Sequence, residues 1–173
     1  MRKRRTCYLL AFALLGTAVV FADQLPDAPE RWFERARGYE EARKVQAELG
    51  ADMLLFIASR SPAGPARRSR QFENNILRHR DMRDFLSHYV VVKLTIPTER
   101  ETNDLAEEQF RVIYGPRVFV VRPGGFAQPL GVFERDNDRR TLLPVEEIQR
   151  RIVRASSPKY GSLLPTMLER EDK

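Results

Sequence analysis

Cysteine is almost missing from the 173 residues, the one thiol being Cys7. It sits in an apolar stretch near the N-terminus. If that stretch is removed, the remaining chain has no disulfide, no thiolate nucleophile and no thiolate metal ligand. Histidine is nearly as scarce: His79 and His88 stand nine residues apart, which on one continuous helix puts them on opposite faces, so they make no metal pair. No G-x-S-x-G elbow surrounds any serine, and nothing supports a Ser-His-Asp triad. No apolar run reaches the roughly 20 residues that span a bilayer as a helix. Internal repeats and low-complexity tracts are absent too. What is present is the composition of one folded domain, 42% hydrophobic and 31% charged, which excludes a disordered polyelectrolyte.

The formal charge of +6 would invite a nucleic-acid reading if it were spread over the chain. It is not. Arg2, Lys3, Arg4 and Arg5 precede an apolar run from Cys7 to Phe21, with the small-residue pattern of Val20 and Ala22 before Asp23, the layout of a secretory signal. Cleavage after Ala22 lowers Lys+Arg from 30 to 26 against 24 acids, leaving about +2, too little to call for a nucleic acid partner. The expectation is an exported protein, periplasmic or extracellular, with no stable membrane span once the signal is cut. Its parts would be a signal peptide over 1–22, a linker over 23–31, a domain over 32–155 and a loosely held tail over 156–173.

Within the domain, apolar spacing from Glu30 to Leu49 predicts a helix stopped by Gly50. The run Met53–Ala58 predicts a strand covered on both faces. Ser61-Pro62-Ala63-Gly64-Pro65 is a punctuated loop opening a helix from Ala66 onward, and Asp81 is expected to cap a second helical piece carrying Met82, Phe85, Leu86 and Tyr89. Val90–Leu94 predicts another buried strand bounded by Pro97, and Thr102 or Asn103 a cap for a helix through Leu105, Ala106, Gln109 and Phe110. Gly115-Pro116 breaks the chain. Val118–Val121 and a weaker Pro129–Phe133 strand flank a Pro123-Gly124-Gly125 turn, and a last helix runs from about Pro144 to Ala155. The order αβαβαββα predicts an α/β class, a three-layer α/β/α sandwich with a mixed four-stranded sheet.

A loop-to-helix transition after the first strand, Phe56 to Arg60 leading into Ser61-Pro62-Ala63-Gly64, and then Tyr114-Gly115-Pro116-Arg117 opening Val118–Val121, together resemble the thioredoxin-like superfamily. The likeness runs from about Trp32 to Ala155. It is most similar to the secretory branch lacking the Cys-x-x-Cys motif, near the anterior-gradient and ER thioredoxin-like proteins, although the final residues Glu169-Arg170-Glu171-Asp172-Lys173 form no ER-retrieval signal. The resemblance implies a thioredoxin fold, a cis-proline at Pro116, and a redox site whose attacking position is Ser61 and whose resolving position is Gly64. Thiol exchange needs an attacking thiolate and a second thiol. Neither stands there, Arg60 replaces the family's tryptophan, and Leu55 occupies the place of its buried aspartate. No catalytic residue and no cofactor follow from this reading.

The expected function is a redox-inactive module that binds an extended peptide or protein at Arg60, Ser61, Pro62, Ala63, Gly64, Tyr114, Gly115, Pro116 and Arg117, with Gly115 keeping that surface open. A divergent oxidoreductase borrowing a partner's thiols is the alternative, and a structural domain of an envelope assembly a third reading. For Ser61 alone a helix-capping role is favoured over a nucleophile. Glu134 to Asp138 imitates a calcium loop but puts Thr141 where glycine belongs, so a polar turn and no metal site are expected. Arg67, Arg68, Arg70, Arg78, Arg80 and Arg83 give the second helical region a basic cast beside Ser61–Gly64 that could attract an acidic protein, an anionic lipid or a glycan, but an ordinary solvated face with Glu73, Asp81 and Asp84 interspersed is the preferred reading.

Overall fold

Met53–Ser59 is buried at all of its positions, as a strand must be when helices cover both faces of its sheet. Successive side chains then alternate between two cores. Leu54, Phe56 and Ala58 enter one together with Phe72, Met82, Phe85 and Ile148, while Met53, Leu55 and Ile57 enter the other with Tyr39, Ala42, Phe110 and Phe119. The computed structural model describes residues 25–136 and 139–164, and the expected leader over 1–22 lies outside them. Among the described residues no helix is long and apolar enough to cross a membrane.

The strands are β1 (Trp32–Glu34), β2 (Met53–Ser59), β3 (Val90–Ile96), β4 (Arg117–Val121) and β5 (Ala127–Leu130), arranged β1-β3-β2-β4-β5 in one mixed sheet. β1 and β2 pair parallel to β3, with Phe56 opposite Lys93, and β4 runs antiparallel to both β2 and β5. Helix α1 (Arg35–Leu49) covers one face with α4 (Arg100–Asp104), which continues as a π-helical turn over Leu105–Gln109. The other face carries α2 (Ala63–Phe72), continued as π-helix over Glu73–Leu77, then α3 (Arg80–Leu86) and α5 (Val145–Ala155). This is the α/β sandwich class that the apolar runs predict.

Several details differ from expectation. The sheet has five strands, not four, because Trp32–Glu34 pairs with the edge of β3 rather than opening the first helix, which starts at Arg35. Three residues are too few to display alternation, and Trp32 fits a helical spacing equally well. The strand expected over Pro129–Phe133 ends at Leu130; Phe133 belongs to a separate hairpin of β6 (Phe133–Asp136) and β7 (Arg139–Leu142), where a polar turn was expected. The β4–β5 turn closes with Gly125 donating to Arg122 O at 2.8 Å and needs glycine at φ +84°. Neither Asp81 nor Thr102 nor Asn103 caps a helix: α3 and α4 begin earlier, after His79 and Glu99. Thr102 Oγ1 instead accepts the Ala36 N–H at 2.9 Å, joining α4 to the start of α1.

Of the loose tail expected over 156–173, residues 165–173 lie outside the described residues, and the stretch just after α5 is held rather than loose. Pro158–Ser162 forms a 3-10 turn that buries Tyr160 completely, its ring stacked on Tyr89 at 4.5 Å. The Tyr160 hydroxyl accepts the Asp52 N–H at 2.8 Å and donates to His88 O at 2.9 Å, while Ser157 Oγ donates to Asp52 Oδ1 at 2.6 Å. Burial raises both phenols above the ordinary tyrosine range. These tie the chain at the β2 start, the end opposite the loops described next.

Candidate functional site

β2 and β3 run parallel and end at the same edge of the sheet, at Ser59 and Ile96, and antiparallel β4 starts there, with Arg117 opposite Ile57. The loops after β2 and β3 and the loop before β4 therefore meet. Arg60 N donates to Ile96 O at 2.7 Å, joining the first two. The Ser61–Pro62, Ile96–Pro97 and Gly115–Pro116 peptide bonds are cis.

A chain of hydroxyls fastens the third loop. Gly115 N donates to Ser59 Oγ at 2.6 Å, Ser59 N to Ser69 Oγ at 2.8 Å, and Ser69 Oγ to Pro65 O at 3.0 Å. Both serines are buried, so β2, α2 and the Gly115 loop share one satisfied polar network. Gly115 is there for close approach: a Cβ built on it would lie 2.3 Å from Ile57 O. Its side-chain direction faces β2, not the open surface.

The structure thus brings Arg60, Ser61, Pro62, Ala63 and Gly64 to the same edge as Tyr114, Gly115, Pro116 and Arg117. Arg60, Ser61, Pro62, Ala63, Tyr114 and Arg117 are exposed, Gly64 and Pro116 partly so, and Gly115 is buried. Ser61 does not cap α2. Pro62 occupies the capping position, has no side-chain acceptor and lets its carbonyl take the Ala66 N–H at 3.0 Å. Leu55 is fully buried among Ala, Val and Phe side chains. The buried acid nearest β2 is Asp52, just before its first residue and so at the opposite end. His79 and His88 lie apart from this edge, His79 3.8 Å from Asp81 and His88 Nδ1 3.2 Å from Pro26 O.

Sequence reasoning missed three features of the edge. Ser59 and Ser69 carry the network, and the only trace of this in the sequence is a polar residue closing an apolar strand. Ile113, 63% exposed beside Tyr114 at 59%, makes an apolar step next to Gly115. Lastly, Arg35, Arg60 and Lys93 meet Glu34 in a cleft of about 70 Å³ that Thr95 and Thr98 also line. On the other flank Arg68 Nη1 lies 3.6 Å from where a Gly64 Cβ would be. Burial, then repulsion from Arg140 and Arg67, holds the Arg68 guanidinium below the ordinary arginine range.

No protein-family model matches the chain. No curated protein matches it either. Solved structures do. A thioredoxin from Thermus thermophilus is similar with a TM-score of 0.52 at 20% identity, over 72% of this chain and 85% of that one. The C-terminal domain of DsbD from Neisseria meningitidis is similar in its oxidised form with a TM-score of 0.56 at 12% identity, over 72% of this chain and 99% of that one. Its reduced form gives a TM-score of 0.55 at the same identity and coverage. At such identities the likeness speaks for architecture, and by architecture this chain is a thioredoxin-like α/β sandwich with a five-stranded mixed sheet.

Proposed function

We propose that the chain is an exported, redox-inactive thioredoxin-like domain of the secretory branch without Cys-x-x-Cys, and that it binds an extended peptide or protein segment. The binding surface is the one formed by Arg60 to Gly64 and Tyr114 to Arg117. One observation carries the reading: Ile113 and Tyr114, 63% and 59% exposed, sit beside a Gly115 whose backbone is locked onto β2. Large apolar side chains held open on a rigid element are what a partner covers. That no cysteine follows Cys7 in the sequence supports the non-redox half, since by the resemblance Ser61 and Gly64 stand in the two positions where exchange needs sulfur.

Affinity capture with the purified protein tests the binding role. Tyr114→Ser and Arg117→Ser touch exposed side chains and leave the buried hydroxyl network intact, so both should lower recovery of a partner retained by the wild type. Equal recovery by all three proteins would place binding elsewhere. Export is read from the N-terminus of the secreted product, which should begin at Asp23. Insulin reduction by the purified protein should stay at the uncatalysed rate; catalysis above it would revive the oxidoreductase reading.

A further inference from the structure

Among the described residues no carboxylate pairs with Arg60, Arg67, Arg68, Arg117 or Arg140. Nearby acids are engaged elsewhere. Glu73 holds Lys93 at 3.0 Å, while Glu99 faces Arg35 at 3.9 Å and accepts hydrogen bonds from Thr102 and Thr98. Glu34 is the one carboxylate lining the small cleft, against Arg35, Arg60 and Lys93. On the far flank Arg140 of β7 stands opposite Arg135 across the hairpin and repels Arg68 on α2. A domain that keeps such a group beside its open loops gains when an anion arrives.

We propose that the segment bound at this surface is acidic, an extended stretch of protein whose carboxylates lie along the Arg60 and Arg67–Arg68–Arg140 flanks while an apolar side chain covers Ile113 and Tyr114. This rests on the peptide-binding reading above and adds the chemistry of the occupant. Charge complementarity selects it, because Arg60 directly follows β2 and Arg68 stands on α2 beside Gly64, on the two segments that Ser59 and Ser69 join to the Gly115 loop. Guanidinium groups also match carboxylates with two parallel hydrogen bonds, a geometry that ammonium groups do not offer.

The test measures fluorescence anisotropy of three labelled peptides of equal length and equal apolar content, one carrying glutamates, one serines and one lysines, titrated with the purified protein. The acidic peptide should bind most tightly, and its advantage should shrink as salt rises from about 50 to 300 mM, where the screening length contracts. The double variant Arg67→Glu/Arg140→Glu should weaken the acidic peptide about fivefold to tenfold, the effect of losing two exposed charge contacts, and leave the serine peptide unchanged. Arg67→Gln/Arg140→Gln, with the fold checked by circular dichroism, should show the same ranking with a smaller loss. If the serine and acidic peptides bind equally, the acidic inference falls and the peptide surface stands. If no peptide binds, both fall. Vesicles of phosphatidylglycerol that sediment with the protein while the acidic peptide does not would give the arginines to a lipid surface and overturn the proposal.

Discussion

At the scale of single residues, the edge depends on two serines that look like surface residues in the sequence. Removing the Ser59 hydroxyl leaves the buried Gly115 N–H without an acceptor, which costs about 1–3 kcal/mol. Ser59→Ala should lower the unfolding free energy by that much, read as a lower denaturant midpoint at an unchanged m-value. Ser69→Ala should do likewise by orphaning Ser59 N. Gly115→Ala should be worse than either, because a methyl 2.3 Å from a backbone carbonyl forces the chain to move. The opposite sign is expected at Arg111, which holds φ +55° on the surface just past the π-helical turn. The left-handed region is disfavoured for side chains with a Cβ, so Arg111→Gly should stabilise the protein by up to about 1 kcal/mol, net of the entropy glycine adds to the unfolded chain. A thermal melt of this variant with a lower midpoint would contradict the assignment.

At the scale of elements, Arg151 ties α5 to the β6–β7 hairpin. Its Nε donates to Glu147 at 2.7 Å, Nη1 to Gly131 O at 2.8 Å and Nη2 to Glu134 at 3.2 Å. The hydrogen bond from Arg151 holds the Glu147 carboxyl below its ordinary 4.5. A carboxyl depressed in the folded state adds stability above that ordinary value and loses it as pH falls through the depressed one. Arg151→Met should therefore return the Glu147 titration, followed by NMR, upward toward 4.5, flatten the acid limb of stability, and speed amide exchange over 133–142. A Glu147 titration unmoved by the substitution would break the Arg151–Glu147 assignment, and unchanged exchange at the hairpin would detach it from α5.

Legibility also varied by element. Met53–Ala58 and Val118–Val121 were plain in sequence because burial on both faces demands unbroken apolar runs, and α5 was plain because Ile148 and Ile152 repeat on one face. Trp32–Glu34 was hidden by its length, and Ser156–Ser162 by the fact that Tyr160 finds its partners 72 and 108 positions away. At the site, Pro and Gly punctuation marked both loops. The hydroxyl network between them joins positions 10 and 56 apart, which no local pattern records.

At the scale of the whole molecule, the scaffold and the chemistry separate. Two cores built on alternate residues of β2 position the Ser61 loop at the start of α2 without help from any thiol. The same positions should then accept sulfur. Position 61 is exposed, and a side chain at position 64 meets only Arg68 Nη1, at an ordinary contact of 3.6 Å. In Ser61→Cys/Gly64→Cys the first thiol lies where the free N–H groups of α2 favour an anion, and the second lies beside a guanidinium. Each effect lowers a thiol from its free value of about 8.5. The reduced double variant should alkylate at neutral pH faster than a thiol in an unfolded peptide, with the titration midpoint displaced downward, and should close a disulfide that dithiothreitol reopens. Insulin reduction should rise above the wild-type background yet stay weak, because β2 carries no acid to take the proton of the second thiol. A midpoint at or above the free value, in a variant that melts like the wild type, would mean that the loop does not hold position 61 against the helix start.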